Sequence, residues 1–286
     1  MKQMHLGNRQ KMNKAKEAAK QIWGASPAGI RYGKGYEPGT KEFFENVLAK
    51  RSTYKLPWLF DLIPFSSFQG KKVLEIGCGA GYDAYEFCRN GADYTGIDIA
   101  PENIDRISKH LSFYGYQPKL MVGDAEFLEF QDESFDVVFS NGVLHHVPDI
   151  TRTLKEINRV LKPGGRFYMI VYHKNSIFYW VSLFFFEHLI LLGFLKRSFK
   201  ERLSMIEYTT AEARPFVKAY SVKELRNILC KADFMLENLW VRKLVEEDLP
   251  GIPLLQSLWK YIPQSFLDKV GRFVGWYIIV KAIKKL

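Results

Sequence analysis

The chain has 286 residues, 47% of them apolar and 25% charged, a balance that supports a sizeable buried core and excludes wholesale disorder. Its formal net charge of +10 is compatible with nucleic acid, an anionic membrane surface or a solvated basic surface. Cys78, Cys88 and Cys230 form no CxxC pair and no metal-ligand spacing, and no apolar signal segment opens the sequence. The expectation is a reducing, cytoplasmic compartment with no bound metal.

The basic charge is weighted to the ends. Lys2, Arg9, Lys11, Lys14, Lys16 and Lys20 crowd the start against Glu17, and Lys281, Lys284 and Lys285 close the chain. Residues 1–24 read as a solvated basic arm with a short helix at 14–23, and 30–40 as a glycine-rich loop. Residues 41–50 have helical spacing, with Phe43, Phe44, Val47 and Leu48 on one side, and read as part of a helical cover. From residue 70 the pattern becomes regular. Strands are expected at 73–76, 94–98, 119–122, 135–141 and 166–172, and helices at 81–90, 101–114 and 151–161. Alternating strands and helices predict a doubly wound, mostly parallel α/β sheet. A further capped helix at 221–231, in the pattern S-x-x-E, and strands at 235–241 and 276–280 bring the sheet to seven strands.

Four stretches carry chemistry. The first strand runs into Gly77, Gly79 and Gly81 at alternate positions, a turn whose backbone bends tightly and lets a ligand approach. Asp98 ends the second strand, where a carboxylate can accept hydrogen bonds from ribose hydroxyls. Gly123-Asp124-Ala125 leaves another carboxylate at the sheet edge, suited to an adenine amino group. The fourth strand then ends in Ser140-Asn141-Gly142, ahead of the pair His145-His146.

Taken together, Glu75-x-Gly77-x-Gly79-x-Gly81, Gly96-x-Asp98, Gly123-Asp124-Ala125, residues 135–146 and Leu161-Lys162-Pro163-Gly164-Gly165 resemble a class I S-adenosylmethionine-dependent methyltransferase. The resemblance is closer to the ubiquinone and menaquinone subgroup. It covers residues 70–172 strongly and 221–281 loosely, and implies a Rossmann-like fold, S-adenosyl-L-methionine as cofactor, and an enzyme. It places Glu75, Gly77, Cys78 and Gly79 at the methionine part of the cofactor, and Asp98 and Ile99 at the ribose. Asp124 and Ala125 fall at the adenine, and Asn141 beside the reacting centre. An acid at position 75 suits a cationic ligand and repels a pyrophosphate, which argues against the nearest alternative, a nicotinamide-dinucleotide enzyme. A base is required only if the methylated group carries a proton, and His173, His146 and His145 are the candidates.

After the fifth strand the alternation breaks at 177–195, a nearly unbroken apolar run trailed by Lys196, Arg197, Lys200 and Arg202. Glu187 and His188 near its middle argue against a membrane-spanning helix. It reads as a lid over the substrate or as an interfacial helix at an anionic membrane. The expected organisation is therefore an arm and helical cover at 1–69 and a cofactor-binding domain at 70–286, with an insert at 174–220. The expected acceptor is small and lipophilic or aromatic, such as a quinone precursor, isoprenoid, lipid or natural product. The alternatives are a tRNA or rRNA methyltransferase using the basic arm, and a cofactor-binding module without turnover. Nucleic acid is the less expected partner, and a location at the inner face of a membrane is compatible with the insert.

Overall fold

In every central strand the side chains alternate between two apolar layers. Leu74, Ile76, Val138, Phe167, Met169 and Val171 pack into one layer, and Val73, Val137, Phe139, Tyr168 and Ile170 into the other. Both faces must therefore be covered, each fully buried large side chain contributing about 1.5–3 kcal/mol. The computed structural model describes residues 2–26, 29–206, 215–251, 259 and 261–286. Parts of the insert (207–214) and of the C-terminal excursion (252–258) lie outside the described residues, as do the side chains of Lys2, Arg9 and Lys11.

The strands are β1 (Lys72–Ile76), β2 (Asp93–Asp98), β3 (Lys119–Val122), β4 (Phe135–Asn141), β5 (Leu161–Tyr172), β6 (Phe234–Arg242) and β7 (Tyr277–Lys284). They form one seven-stranded sheet in the order β3-β2-β1-β4-β5-β7-β6. β1 to β5 are parallel, and β7 runs antiparallel between β5 and β6. The order reverses beside β1, so the carboxyl ends of β1 and β4 open on a crevice, the usual ligand position in such sheets.

The helices are α1 (Lys2–Ala25), α2 (Lys41–Lys50), α3 (Leu59–Leu62), α4 (Tyr82–Arg89), α5 (Pro101–Ser112), α6 (Ile150–Val160), α7 (Phe199–Ser204), α8 (Val222–Lys231) and α9 (Gln264–Val274). α6 and α8 cover one face through Leu154, Ile157, Leu225 and Leu229, and α4 and α5 the other through Phe87, Ile107 and Leu111. α2 occupies the expected residues and seats Phe43, Phe44 and Val47 on Ala80 and Tyr82, just past the glycine turn. α8 begins at a capping box in which Ser221 and Glu224 satisfy each other's backbone N–H groups.

Some boundaries differ from expectation. α1 is much longer than 14–23, because no proline interrupts the sequence from Lys2 to Ala25. The fifth strand starts at Leu161, which already pairs with Phe135. A bulge then carries the exposed Pro163-Gly164 past the ladder before Arg166 pairs with Val137. The apolar run at 177–195 folds as a π-helix, Phe178–Ile190, and a 3₁₀ turn, Gly193–Leu195.

Gly77 and Gly79 both hold positive φ, 76° and 53°, which costs a residue with a Cβ about 1–2 kcal/mol. A Cβ on Gly77 would lie 2.2 Å from Val143 Cγ2, whereas one on Gly79 would meet nothing within 4 Å. Chemical denaturation is expected to show Gly77→Ala losing about 2–5 kcal/mol and Gly79→Ala only about 1–2, since overpacking adds to the backbone term in the first alone. Equal losses would contradict this account of the turn.

Candidate functional site

The end of β1 is tied to β2 by its backbone. The N–H groups of Gly77 and Cys78 both donate to Ile97 O, at 2.8 and 3.0 Å. The Asp98 carboxylate then braces the turn. Its Oδ2 accepts from Gly79 N at 2.9 Å, and its Oδ1 from Ala100 N at 2.9 Å and Asn103 Nδ2 at 3.1 Å. Burial raises the Asp98 pKa, and these N–H donors oppose the shift.

Two further acids stand beside the turn. Glu75 is buried and accepts from the Tyr94 hydroxyl at 2.5 Å. Burial, reinforced by the neighbouring Asp83, pushes its pKa well up. Asp83 Oδ2 accepts from Arg51 at 2.6 Å and from Asn141 Nδ2 at 3.0 Å. Asp83 Oδ1 is buried with no hydrogen-bond partner among the described residues. Burial keeps the Cys78 thiol protonated by raising its pKa well above the usual range.

At the other side of the crevice, Asp124 and Glu126 hold a lysine from the N-terminal helix. Lys16 Nζ lies 2.7 Å from Asp124 Oδ2 and 2.5 Å from Glu126 Oε2. Burial disfavours the Lys16 charge, but the two carboxylates outweigh it and its pKa is raised. Lys16 is thus not part of a free basic tail, as the sequence suggested. It anchors α1 across the crevice, and the Trp23 ring comes within 5.0 Å of His146.

These groups line one cavity of about 330 Å³. All nine residues expected at the cofactor border it: Glu75, Gly77, Cys78, Gly79, Asp98, Ile99, Asp124, Ala125 and Asn141. The three histidines divide. His146 borders the cavity with Nδ1 2.8 Å from Phe216 O. His145 and His173 are not among its lining residues. His145 is fully buried against Tyr172, neither ring nitrogen has a hydrogen-bond partner among the described residues, and burial lowers its pKa well below the usual range. His173 is buried with Nδ1 3.0 Å from Gly275 O, and burial lowers its pKa too. Among the described residues no cluster of His, Cys, Asp and Glu is placed to hold a metal.

Sequence reading missed Arg51, Lys16 and an aromatic chamber at the far end of the cavity, bordered by Tyr172, Phe178, Trp276 and Tyr277. Arg51 follows directly on the amphipathic α2, a weak local signal. The chamber has none, because β5 and β7, which bring Tyr172 opposite Tyr277, are a hundred residues apart in sequence.

Residues 74–169 match the family described as "Methyltransferase domain". A phthiotriol/phenolphthiotriol dimycocerosates methyltransferase of Mycobacterium tuberculosis is 41% identical over 114 residues, which is 39% of this chain and 42% of that protein. A ubiquinone biosynthesis O-methyltransferase of Paracidovorax citrulli is 30% identical over 156 residues, 54% of this chain and 63% of that protein. The match therefore spans less than two thirds of either relative. An S-adenosylmethionine-dependent methyltransferase of Mesorhizobium loti superposes with a TM-score of 0.55 over 80% of this chain and 97% of its own, at 17% identity, a likeness of fold. Residues 74–169 thus match a methyltransferase domain, the sheet has the fold of the class I S-adenosylmethionine-dependent methyltransferases, and the curated relatives are named as methyltransferases.

Proposed function

We propose that the protein transfers a methyl group from S-adenosylmethionine to a small lipophilic or aromatic acceptor. The observation that carries this reading is the single cavity joining the glycine turn to an aromatic chamber. The residues present fit the cofactor. Gly79 faces open space, and Asp83 Oδ1 is a bare buried acceptor for a cationic donor. Glu75, Asp83 and Asp98 together outnumber Arg51, and a cation beside them favours their charged forms where a pyrophosphate would not. The bound cofactor supplies a methyl group already activated by its sulfonium. The chain's own task is to align the acceptor and exclude water. In this reading Glu75, Gly77, Cys78 and Gly79 hold the methionine part, Asp98 and Ile99 the ribose, Asp124 and Ala125 the adenine, and Asn141 the reacting end. Of the three histidines, His146 is the one we assign to receive a hydroxyl proton, since it alone borders the cavity.

A lipophilic acceptor is supported by the relatives, one named for a phthiotriol dimycocerosate and one for ubiquinone biosynthesis, and by the insert. Phe178 and Ile206 of the insert border the cavity, consistent with the insert acting as a substrate lid. Its outer side exposes Trp180, Phe185, Ile190, Leu191 and Phe194, and Leu195 at 71%, ahead of Lys196, Arg197 and Lys200. Glu187 is paired with Arg202 and His188 is buried, so neither interrupts that apolar side. No helix among the described residues is long and apolar enough to cross a membrane. An apolar side trailed by lysine and arginine suits the interfacial zone of an anionic membrane, from which an acceptor would enter the chamber.

Three measurements check this. Incubation with methyl-labelled S-adenosylmethionine and fractionated cell extract is expected to carry label into the organic-extractable fraction; label confined to RNA would overturn the acceptor class. Vesicles containing phosphatidylglycerol are expected to sediment the protein and phosphatidylcholine vesicles to leave it behind, with Phe185→Ser/Leu195→Ser reducing capture several-fold. Equal capture by both vesicles would remove the membrane contact. The raised pKa values of Glu75 and Asp98 set the sign of a pH dependence. A cation beside them favours their charged forms, so binding releases protons and affinity for S-adenosylmethionine rises from mildly acidic to neutral pH. S-adenosylhomocysteine, without the sulfonium charge, is expected to show a flatter calorimetric profile. Identical slopes would mean that the acids do not sense the sulfonium.

A further inference from the structure

The aromatic chamber contains a buried ion pair that the proposed cofactor contacts do not use. Lys243 Nζ lies 2.6 Å from Asp248 Oδ1, with the two side chains 10% and 5% exposed, and both residues border the cavity. The pair is held firmly. Asp248 Oδ2 accepts from Val245 N at 3.0 Å, Asp248 O accepts from the Ser182 hydroxyl of the insert at 2.6 Å, and Lys243 O accepts from Trp276 N at 2.7 Å. Lys243 also sits at φ 67°, in the left-handed region that disfavours residues with a Cβ. A buried ion pair is no better for stability than apolar residues of the same volume. Strain and desolvation are thus both borne at one point on the cavity wall, a pattern that points to ligand contact.

The walls beside the pair are flat rings. Trp276 stacks on Tyr172 with centroids 4.4 Å apart at 22°, and Tyr277 lies on the same Tyr172 ring at 5.9 Å and 22°. Phe178 meets Trp276 edge-on at 4.9 Å, and Lys243 rests 5.6 Å from the Tyr277 centroid. Such walls favour a planar ring in offset or edge contact. The pair then decides what the ring carries. An ammonium donates and a carboxylate accepts, and a hydroxyl does both. A carboxylate on the ligand would be repelled by Asp248 and an amine by Lys243, while an apolar end would offer the pair no hydrogen bond.

We infer that Lys243 and Asp248 are specificity-determining residues that bind a hydroxyl on a planar ring of the acceptor. This rests on the methyltransferase reading, and it narrows the acceptor class from lipophilic to hydroxylated and aromatic.

Equilibrium dialysis of the full chain, loaded with S-adenosylhomocysteine, against 4-methylphenol and 1,4-dimethylbenzene tests it. The two probes differ by a hydroxyl against a methyl, and the methyl probe is the more apolar. The wild type is expected to bind the phenol about tenfold or more tighter, as hydrogen bonds to charged groups allow. Lys243→Met/Asp248→Leu, which keeps the volume without charge, is expected to lose or invert that preference. Lys243→Gln/Asp248→Asn, a polar variant that covers the case in which the apolar pair does not fold, is expected to reduce it several-fold. Equal binding of both probes, binding of neither, or an unchanged preference in the folded variants would overturn the assignment. Calorimetry with S-adenosylmethionine on the same protein separates the two readings. Absence of cofactor binding sinks the methyltransferase proposal, whereas cofactor binding without a phenol preference sinks only this one.

Discussion

One buried carboxylate holds the cofactor end of the molecule together. Asp98 closes β2, yet its hydrogen bonds go to Gly79 on the neighbouring turn and to Ala100 and Asn103 at the start of α5. Three segments are thereby fixed about one side chain. Removing it would leave the Gly79 and Ala100 N–H groups without their acceptor, each a cost of about 1–3 kcal/mol where buried. The same bracing keeps Gly79 turned to open space and Gly77 against Val143. A carboxylate has about four lone-pair sites, and in the proposed reading a ribose shares those of Asp98 with the donors of the turn. On that reading support and recognition share one group, which is why the glycine spacing and the acid seventeen residues beyond Gly81 were informative together and ambiguous apart.

What was legible in the sequence is what local periodicity and turn chemistry encode. The 119–122 and 135–141 strands and the 41–50 helix have the expected bounds, because short apolar runs bounded by turn residues, or one-sided apolar spacing over ten residues, mark them locally. The glycine turn and its acids were legible for the same reason. What was not legible depends on partners distant in sequence. Lys16 looked like one cation in a basic arm, and only the fold brings it to Asp124 and Glu126, more than a hundred residues away. Trp276 and Tyr172 looked like strand ends until the antiparallel β5–β7 ladder set them side by side. His173 illustrates the reverse. It follows the end of β5, where a base belongs by position, but its ring nitrogen is directed to Gly275 O.

The two covers of the cavity are held by different forces. α1 closes the Asp124 end through Lys16, whose ion pairs reach the 31% exposed Asp124 and the fully buried Glu126 and are weakened by competition for either carboxylate. The insert meets the aromatic wall through Phe178 on Trp276 and through the Ser182 hydroxyl on Asp248 O, and the ring contact is one that ionic strength hardly touches. In the proposed reading the charged cofactor meets the ionic cover and the aromatic acceptor the cover made of rings. The Asp124 oxygen bonded to Lys16 is on the carboxylate assigned to the adenine, so a ligand there engages the clasp itself. An acceptor in the chamber would meet the rings of Tyr172 and Trp276, and Trp23 of α1, 5.0 Å from His146, borders the same cavity, so the two ends are linked through α1.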